Sequence, residues 1–378
     1  MKKIYWCIQQ LDQIGGTEQV SIDLMNHLCD KYEITLVCTS ASLTKKVYII
    51  DKKIHVMSLG LPEQTTKFDQ YSSIYLRGFH LIRFFRLLNQ MTKYYVFKRK
   101  RIRRELQSLI DDEDNLMICS SLDNYYFAPQ KGRVFFHFHF NAKVYFSFGT
   151  RLGLMLCRRP DKYIFLSKST YDIVCSKNKH IASKALFIYN PIRYEPVLNT
   201  DFNNNTIIFV GRFSRQKNPI LAIKIAEKMK KDGFDFKLRM FGAGALCDSV
   251  KKYVKNNKLE NFVEINEPTN NIKDQMLHAD ILLITSIFEG FVLVKGEAAA
   301  LSTPCITSDW GDTVKEMIHT GKDGYIINSN NPEEYAKVIE EVFKSPDKLT
   351  QMKKDSYEYA KELSYDKIIP IWIELLNN

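Results

Sequence analysis

The sequence predicts an α/β fold of two domains, each built on a parallel sheet. Three observations carry this expectation. At 378 residues the chain exceeds one ordinary domain and suits two of about 190 residues each. Short apolar runs alternate with segments of helical apolar spacing in both halves, the pattern of βαβ units. A stretch holding Pro191, Pro196 and the Asn-rich residues Asn199 to Asn205 lies between the halves and reads as a linker.

Composition narrows the classes. Forty-five per cent hydrophobic residues can fill real cores, which excludes a disordered chain. The eight cysteines (Cys7, Cys29, Cys38, Cys119, Cys157, Cys175, Cys247 and Cys305) form no CxxC pair, and most stand in apolar runs. They predict reduced, buried thiols in a cytosolic protein rather than a disulfide frame or a zinc site. The start, Met1 to Gln10, has a short apolar run interrupted by glutamines, which suits a buried strand better than a signal peptide. No apolar window of about 20 residues exists, so no spanning helix is expected.

The net charge of +11 is unevenly spread. Residues 1–195 carry 30 Lys and Arg against 17 Asp and Glu, and the rest carry 24 against 26. All of the excess lies in the first half, which predicts an anionic partner there.

In the first half, Ile4 to Ile8 is a strand, Gly15-Gly16 a loop, and Val20, Ile22, Leu24, Met25 and Leu28 a helix face. Glycines allow close approach of a ligand, and the helix start offers N–H groups to a phosphate; a tight turn is the plain alternative. Tyr32 to Cys38 completes a βαβ unit, and His55 to Leu59 is a third strand. The segment Arg77 to Arg104 has ten cations and no acid, laced with Phe, Leu and Tyr. It suits either a helix on an anionic membrane surface or a helix with a solvated basic face over the core. Nucleic-acid binding is not expected, since no nucleic-acid motif accompanies the run. Leu116 to Cys119 and Arg133 to Asn141 are further strands. His137 and His139 share a face of the second. No Asp, Glu or Cys nearby completes a metal set, so no metal is expected. Tyr163 to Ser167 is the next strand, with Ser167 able to cap the helix after it.

In the second half, Ile207 to Val210 is a strand and Pro219 to Met229 a helix with proline in its first turn. Arg212 and Lys217 therefore fall in the strand-to-helix loop, where two cations beside a helix start suit a diphosphate. Phe236 to Phe241 is a strand ending in Gly242-x-Gly244. Phe262 to Ile265, Asp280 to Thr285 and Pro304 to Thr307 are strands, Ile272 to Ala279 and Leu293 to Leu301 helices. Glu289 follows the Asp280–Thr285 strand, and Glu297 lies eight residues on, inside the helix. A carboxylate there can accept two hydrogen bonds from a vicinal diol.

Taken in order, Gly15-Gly16-Thr17-Glu18, Asn190-Pro191, Gly211-Arg212-Phe213 with Lys217-Asn218, Gly242-x-Gly244, and Glu289-Gly290-Phe291 with Glu297-Ala298 resemble the GT4 family of retaining glycosyltransferases. The resemblance covers nearly the whole chain, and the Glu-x7-Glu segment with the Gly-Arg-Phe and Lys before it is its most specific part. It implies the GT-B fold: two Rossmann-like domains facing across a cleft, residues 1–190 for the acceptor, 191–363 for a nucleotide-sugar donor, and a helix over 364–378 crossing back. It implies that Arg212 and Lys217 neutralise the leaving diphosphate, that Glu289 binds sugar hydroxyls and that Glu297 binds the ribose. Backbone N–H groups at Gly16 and around Phe291 to Leu293 would hold phosphate or sugar oxygens. Gly15, Asn190, Gly211, Gly242, Gly244, Gly290 and Val292 complete the implied donor site. A histidine ending a strand of the first domain belongs near the donor sugar; the apolar pattern favours His139, with His137 as the alternative.

The expected reaction moves a hexose or N-acetylhexosamine from a UDP-sugar, or next a GDP-sugar, to a glycan acceptor, lipid-linked, in surface polysaccharide synthesis. No metal or other cofactor is implied. The expected place is the cytoplasm, peripheral on the inner membrane face through Arg77–Arg104. Retention through a carboxylate nucleophile and retention with the leaving phosphate as base both stay open. So does a catalytically silent GT-B subunit serving a partner transferase. The chain departs from the pattern at Lys295-Gly296, where the family has apolar residues. Glycine costs a helix about 1 kcal/mol relative to alanine, and Lys295 reads as an added cation near the donor. Residues Glu264 to Pro268 lack the usual glycine, which leaves base recognition open.

Overall fold

Ile4, Trp6, Cys7 and Ile8 of the first apolar run are buried in β1 (Lys3–Ile8). With β2 (Glu33–Ser40), β3 (His55–Leu61), β4 (Leu116–Cys119), β5 (Arg133–Phe138), β6 (Lys162–Phe165) and β7 (Ala185–Phe187) it forms a sheet in the order β3-β2-β1-β4-β5-β6-β7. The second sheet takes β8 (Thr206–Val210), β9 (Lys237–Phe241), β10 (Val263–Asn266), β11 (Ile281–Ile284), β12 (Cys305–Ser308) and β13 (Gly324–Ile327) in the order β10-β9-β8-β11-β12-β13. Pairing is parallel in both. This is a computed structural model, and it describes residues 1–12, 15–40, 47–61, 102–110, 114–121, 124–125, 127–146, 154 and 160–378. The chain divides into two compact units, Met1–Phe165 with Val174–Phe187, and Leu166–Ile173 with Ile188–Asn378.

Each sheet reverses its order once, between β1 and β4 in the first and between β8 and β11 in the second. Ligands of open parallel sheets bind outside the strand carboxyl ends at such a switch point. In the second unit the residues there are 211–218, after β8, and 285–292, after β11. The strands around them are locked by burial on both faces. Ile207, Phe209, Ile281 and Leu283 enter one core cluster, while Ile208, Leu282 and Ile284 enter the other. Successive side chains leave a strand on opposite faces, so an apolar run with no alternation is what a covered parallel strand needs.

The loop after β8 leads into the helix Pro219–Lys231, whose first residue is proline and whose last turn holds Lys228, Lys230 and Lys231. Proline suits a first turn, where its missing N–H would have no helical partner, and the lysines suit the negative end of the helix dipole. Its face of Leu221, Ala222, Ile225, Ala226 and Met229 is buried. In the first unit the helix Gly16–Leu28 buries Val20, Ile22, Leu24, Met25 and Leu28. In the second unit Ser167 accepts a hydrogen bond of 3.2 Å from the Thr170 N–H as a cap. The strand expected to run to Asn141 ends at Phe138, because Asn141 caps the helix Ala142–Tyr145 by accepting from the Val144 N–H at 3.1 Å.

Of the basic segment from Arg77 to Arg104, residues 77–101 lie outside the described residues. So does Cys157; five of the other cysteines are buried, and Cys175 and Cys247 are half-buried. Among the described residues no helix is long and apolar enough to cross a membrane.

Gly242 is fixed by contact. A Cβ there would stand 2.0 Å from the Gly211 carbonyl oxygen and 2.9 Å from the Phe213 ring. We therefore expect Gly242→Ala to lower stability by about 1–3 kcal/mol, the usual cost of overpacking, as read by urea unfolding.

Candidate active site

At the second sheet's switch point, two loops distant in sequence are stitched together. The Ile287 N–H donates to the Gln216 carbonyl at 2.8 Å, and the Gln216 amide donates to the Phe288 carbonyl at 3.1 Å. The Thr285 hydroxyl, buried at the end of β11, faces the carbonyls of Lys217 and Asn218 at 3.0 and 2.9 Å. The stitching brings Lys217 Nζ to 2.7 Å from Glu289 Oε1. The Glu289 side chain is 9% exposed and that of Lys217 24%. The Lys217 stem folds back over Gly211, where a Cβ would meet it at 3.6 Å. Arg212, in the same loop, is exposed.

Gly242 and Gly244 lie in the adjoining loop after β9. Phe213 donates its N–H to Ala243 at 2.8 Å, and Gly244 has φ +148 with no room for a Cβ beside the Phe213 backbone. Both glycines thus let two loop backbones touch. Gly290, Phe291 and Val292 lead from Glu289 into the helix Leu293–Ala300, and among the described residues its N-cap, Val292, makes no side-chain cap hydrogen bond. Glu297 is half-buried within that helix. Asn190 is buried. Tyr189 is 6.5 Å from the Phe291 ring, and Ile192 packs 3.0 Å from where a Gly296 Cβ would be. The Ile192 contact explains the glycine within the helix. Among the described residues the Asn190 side-chain oxygen has no hydrogen-bond partner. The Tyr189 hydroxyl donates to Glu316, whose carboxylate also accepts from the N–H groups of Lys168 and Ser169 at 2.6 and 2.9 Å.

Lys295 corrects an expectation. It does not add a cation near a donor. It is 1% exposed, its Nζ is 2.6 Å from Asp323 Oδ2, and it stands 3.0 Å from the centre of the Tyr359 ring. Burial pulls its pKa down to about 8 against the opposing pull of Asp323. The sequence offered no sign of a partner 28 residues away.

In the first unit Gly15 precedes the helix Gly16–Leu28 and donates its N–H to the Tyr48 hydroxyl at 2.7 Å; Gly16 is exposed at the helix start. His137 lies in β5 and His139 just past its end. His139 Nε2 and His137 Nδ1 share one hydrogen bond of 3.1 Å. Burial lowers the pKa of both, His139 to about 3 and His137 well below its usual value. Both rings are therefore neutral at pH 7. Among the described residues no group of three or more His, Cys, Asp or Glu is placed to hold a metal ion.

The comparisons agree with this architecture. Residues 193–359 match the family Glycosyl transferases group 1. The chain is 24% identical to an uncharacterised glycosyltransferase of Haemophilus influenzae over 100% of both chains. It is 21% identical to the Campylobacter jejuni GalNAc-alpha-(1->4)-GalNAc-alpha-(1->3)-diNAcBac-PP-undecaprenol alpha-1,4-N-acetyl-D-galactosaminyltransferase, over 100% of this chain and 98% of that one. Its fold matches that of S. aureus TarM, solved as a mutant with fondaparinux, alpha-GlcNAc-glycerol and UDP, with a TM-score of 0.79, 14% identity and 100% of both chains covered. The chain is a glycosyltransferase of the GT-B fold, an enzyme of glycan synthesis. Its residues 193–359 are a group 1 glycosyl transferase domain.

Lys295→Met leaves Asp323 charged and buried without its partner, so we expect a loss of about 3–5 kcal/mol in denaturant unfolding. The histidine pair gives a pH dependence. Below about pH 6.5 the unfolded chain takes up protons that the native rings refuse. Stability is complete above that pH and falls as pH drops through 6.5 toward 3. Each ring contributes up to about 1.4 kcal/mol per pH unit, and a melting series from pH 7 to 5 should show a smaller fall in His139→Gln.

Proposed function

We propose that the chain is a GT4-type, retaining, metal-independent transferase. It moves a hexose or N-acetylhexosamine from a UDP-sugar, with GDP-sugars next, to a lipid-linked glycan in surface polysaccharide assembly. The observation that carries this reading is the Lys217–Glu289 pair at 2.7 Å, at the switch point of a sheet with Rossmann strand order. The TarM structure contains UDP, and the Campylobacter relative is named for an acceptor on undecaprenol diphosphate, which supports both ends of the reaction.

The chemistry follows from charge. Breaking the sugar–phosphate bond leaves extra negative charge on the diphosphate and an electron-poor sugar ring. Lys217, with Arg212 in the same loop, meets that charge where it grows, so it binds the transition state more strongly than the ground state. The diphosphate carries more charge than one carboxylate and draws Lys217 away from Glu289. Glu289 is then free to accept hydrogen bonds from sugar hydroxyls, and Glu297 from the ribose. The start of the helix Leu293–Ala300 offers N–H groups to phosphate or sugar oxygens. The leaving phosphate takes the acceptor proton on the same face, which retains the anomeric configuration. The acceptor is assigned to the first unit, whose half of the sequence holds the excess of cations. An anionic membrane surface is the partner assigned to Arg77–Arg104.

A thermal-shift screen of UDP-, GDP- and ADP-sugars tests the donor. A donor at ten times its Kd should stabilise the protein by about 1.4 kcal/mol; no shift with any of them removes the reading. Lys217→Ala should lower transfer about 100-fold or more. Glu289→Gln with full activity would take that carboxylate out of the reaction.

A further inference from the structure

We propose that Thr285 is a positioning residue and forms with Gln216 a clasp that holds Lys217 where a diphosphate needs it. The inference deepens the donor reading above and rests on it. Besides the Lys217–Glu289 pair, four hydrogen bonds among the described residues tie residues 216–218 to the other switch-point loop. Gln216 accepts from the Ile287 N–H at 2.8 Å and donates to the Phe288 carbonyl at 3.1 Å. The Thr285 hydroxyl faces the carbonyls of Lys217 and Asn218 at 3.0 and 2.9 Å, one proton shared between two acceptors.

The clasp has a conformational reason. Asn218 sits at φ +49 and ψ +53, left-handed, directly before Pro219. Asn enters this region more readily than other non-glycine residues, and contacts around it fix it there. Two groups do so: the Ser214 carbonyl accepts from the Asn218 N–H at 3.0 Å, and Thr285 meets the Asn218 carbonyl. Thr285 is 1% exposed and directly follows a strand whose residues are fixed in both cores. Neither Thr285 nor Gln216 is charged, and neither is assigned any contact with substrate. Both act through the Lys217 backbone, and shifts of about 1 Å in such a group can cost about 100-fold in rate. The hydroxyl and not the side-chain bulk does this, so Val, nearly the same shape, removes the function and Ser keeps it.

The test is a double-mutant cycle on nucleoside-diphosphate binding, read by calorimetry with UDP, GDP and ADP and followed on whichever binds most tightly. In the Lys217 background Thr285→Val should weaken binding about tenfold, the size of one lost hydrogen bond, and Thr285→Ser should stay within about twofold. In the Lys217→Met background Thr285→Val should change binding by less than about twofold, because the group it positions is gone. A general structural role predicts equal losses in both backgrounds, which overturns the clasp. So does wild-type binding by Thr285→Val. If Thr285→Val does not fold, Gln216→Met takes its place in the same cycle with the same expected non-additivity. Wild-type binding by Lys217→Met, or no binding of any of the three diphosphates at about 1 mM, overturns the donor reading itself and the clasp with it.

Discussion

The pairing of β8 with β11 is the constraint on which the site depends. The two strands are neighbours in the sheet although some 70 residues separate them, with Ile281 opposite Ile207 and Leu282 opposite Ile208. Parallel pairing puts both carboxyl ends on the same edge, so the loops after them must run side by side. Every contact that defines the site comes from this. Ile287 reaches Gln216, Thr285 reaches Lys217 and Asn218, and Glu289 reaches Lys217. The pairing in turn rests on burial, since both strands send apolar side chains into two separate cores.

Three ion pairs of the second unit show how burial sorts charge into structure and chemistry. Lys295–Asp323 and Lys353–Asp280 are each 1% exposed on both sides. Their desolvation is large, and extra hydrogen bonds make them tolerable. Asp323 also accepts from the His319 N–H at 2.7 Å, and Asp280 from the N–H groups of Asn203 and Thr206 at 3.0 Å. Lys353 further donates to the Asp201 carbonyl at 2.7 Å. Such pairs tie the linker and the helices to the sheet and do not exchange partners. Lys217–Glu289 differs. Lys217 keeps about a quarter of its side chain exposed, so an anion in solution can reach it. Solvent access, more than distance, separates the pair at the switch point from the two in the core.

Much of the fold was legible because covered parallel strands need uninterrupted apolar runs. Leu116 to Cys119 was read to the residue, since all four positions are buried and polar residues stop the strand at both sides. Ends were read less well where a side chain decided them: Asn141 stops β5 by capping the helix Ala142–Tyr145. The helix Pro346–Glu362 is not evident in the sequence. Its sequence is rich in Lys, Asp and Glu, and one of its buried positions is Lys353, so its apolar stripe is weak. The candidate residues Arg212, Lys217, Glu289 and Glu297 stand out in the sequence by motif order and by their places at loop ends. Thr285 and Gln216 do not, because nothing in a single Thr or Gln announces which carbonyl it will face.

The sequence alone determined the alternation of strands and helices, the two-part division, the order of the motifs and the identity of the charged groups offered at the loop ends. Local propensity and period carry that information, and neither depends on distant residues. Only the tertiary structure decided which charges meet. Lys217 and Lys295 are both lysines near Glu289 or Glu297 in the motifs, yet one faces Glu289 at a half-open edge and the other lies against Asp323 in the core. Strand order and the depth of burial make that choice. Both are properties of the packed sheet, in which residues far apart in the chain set each other's dielectric and partners.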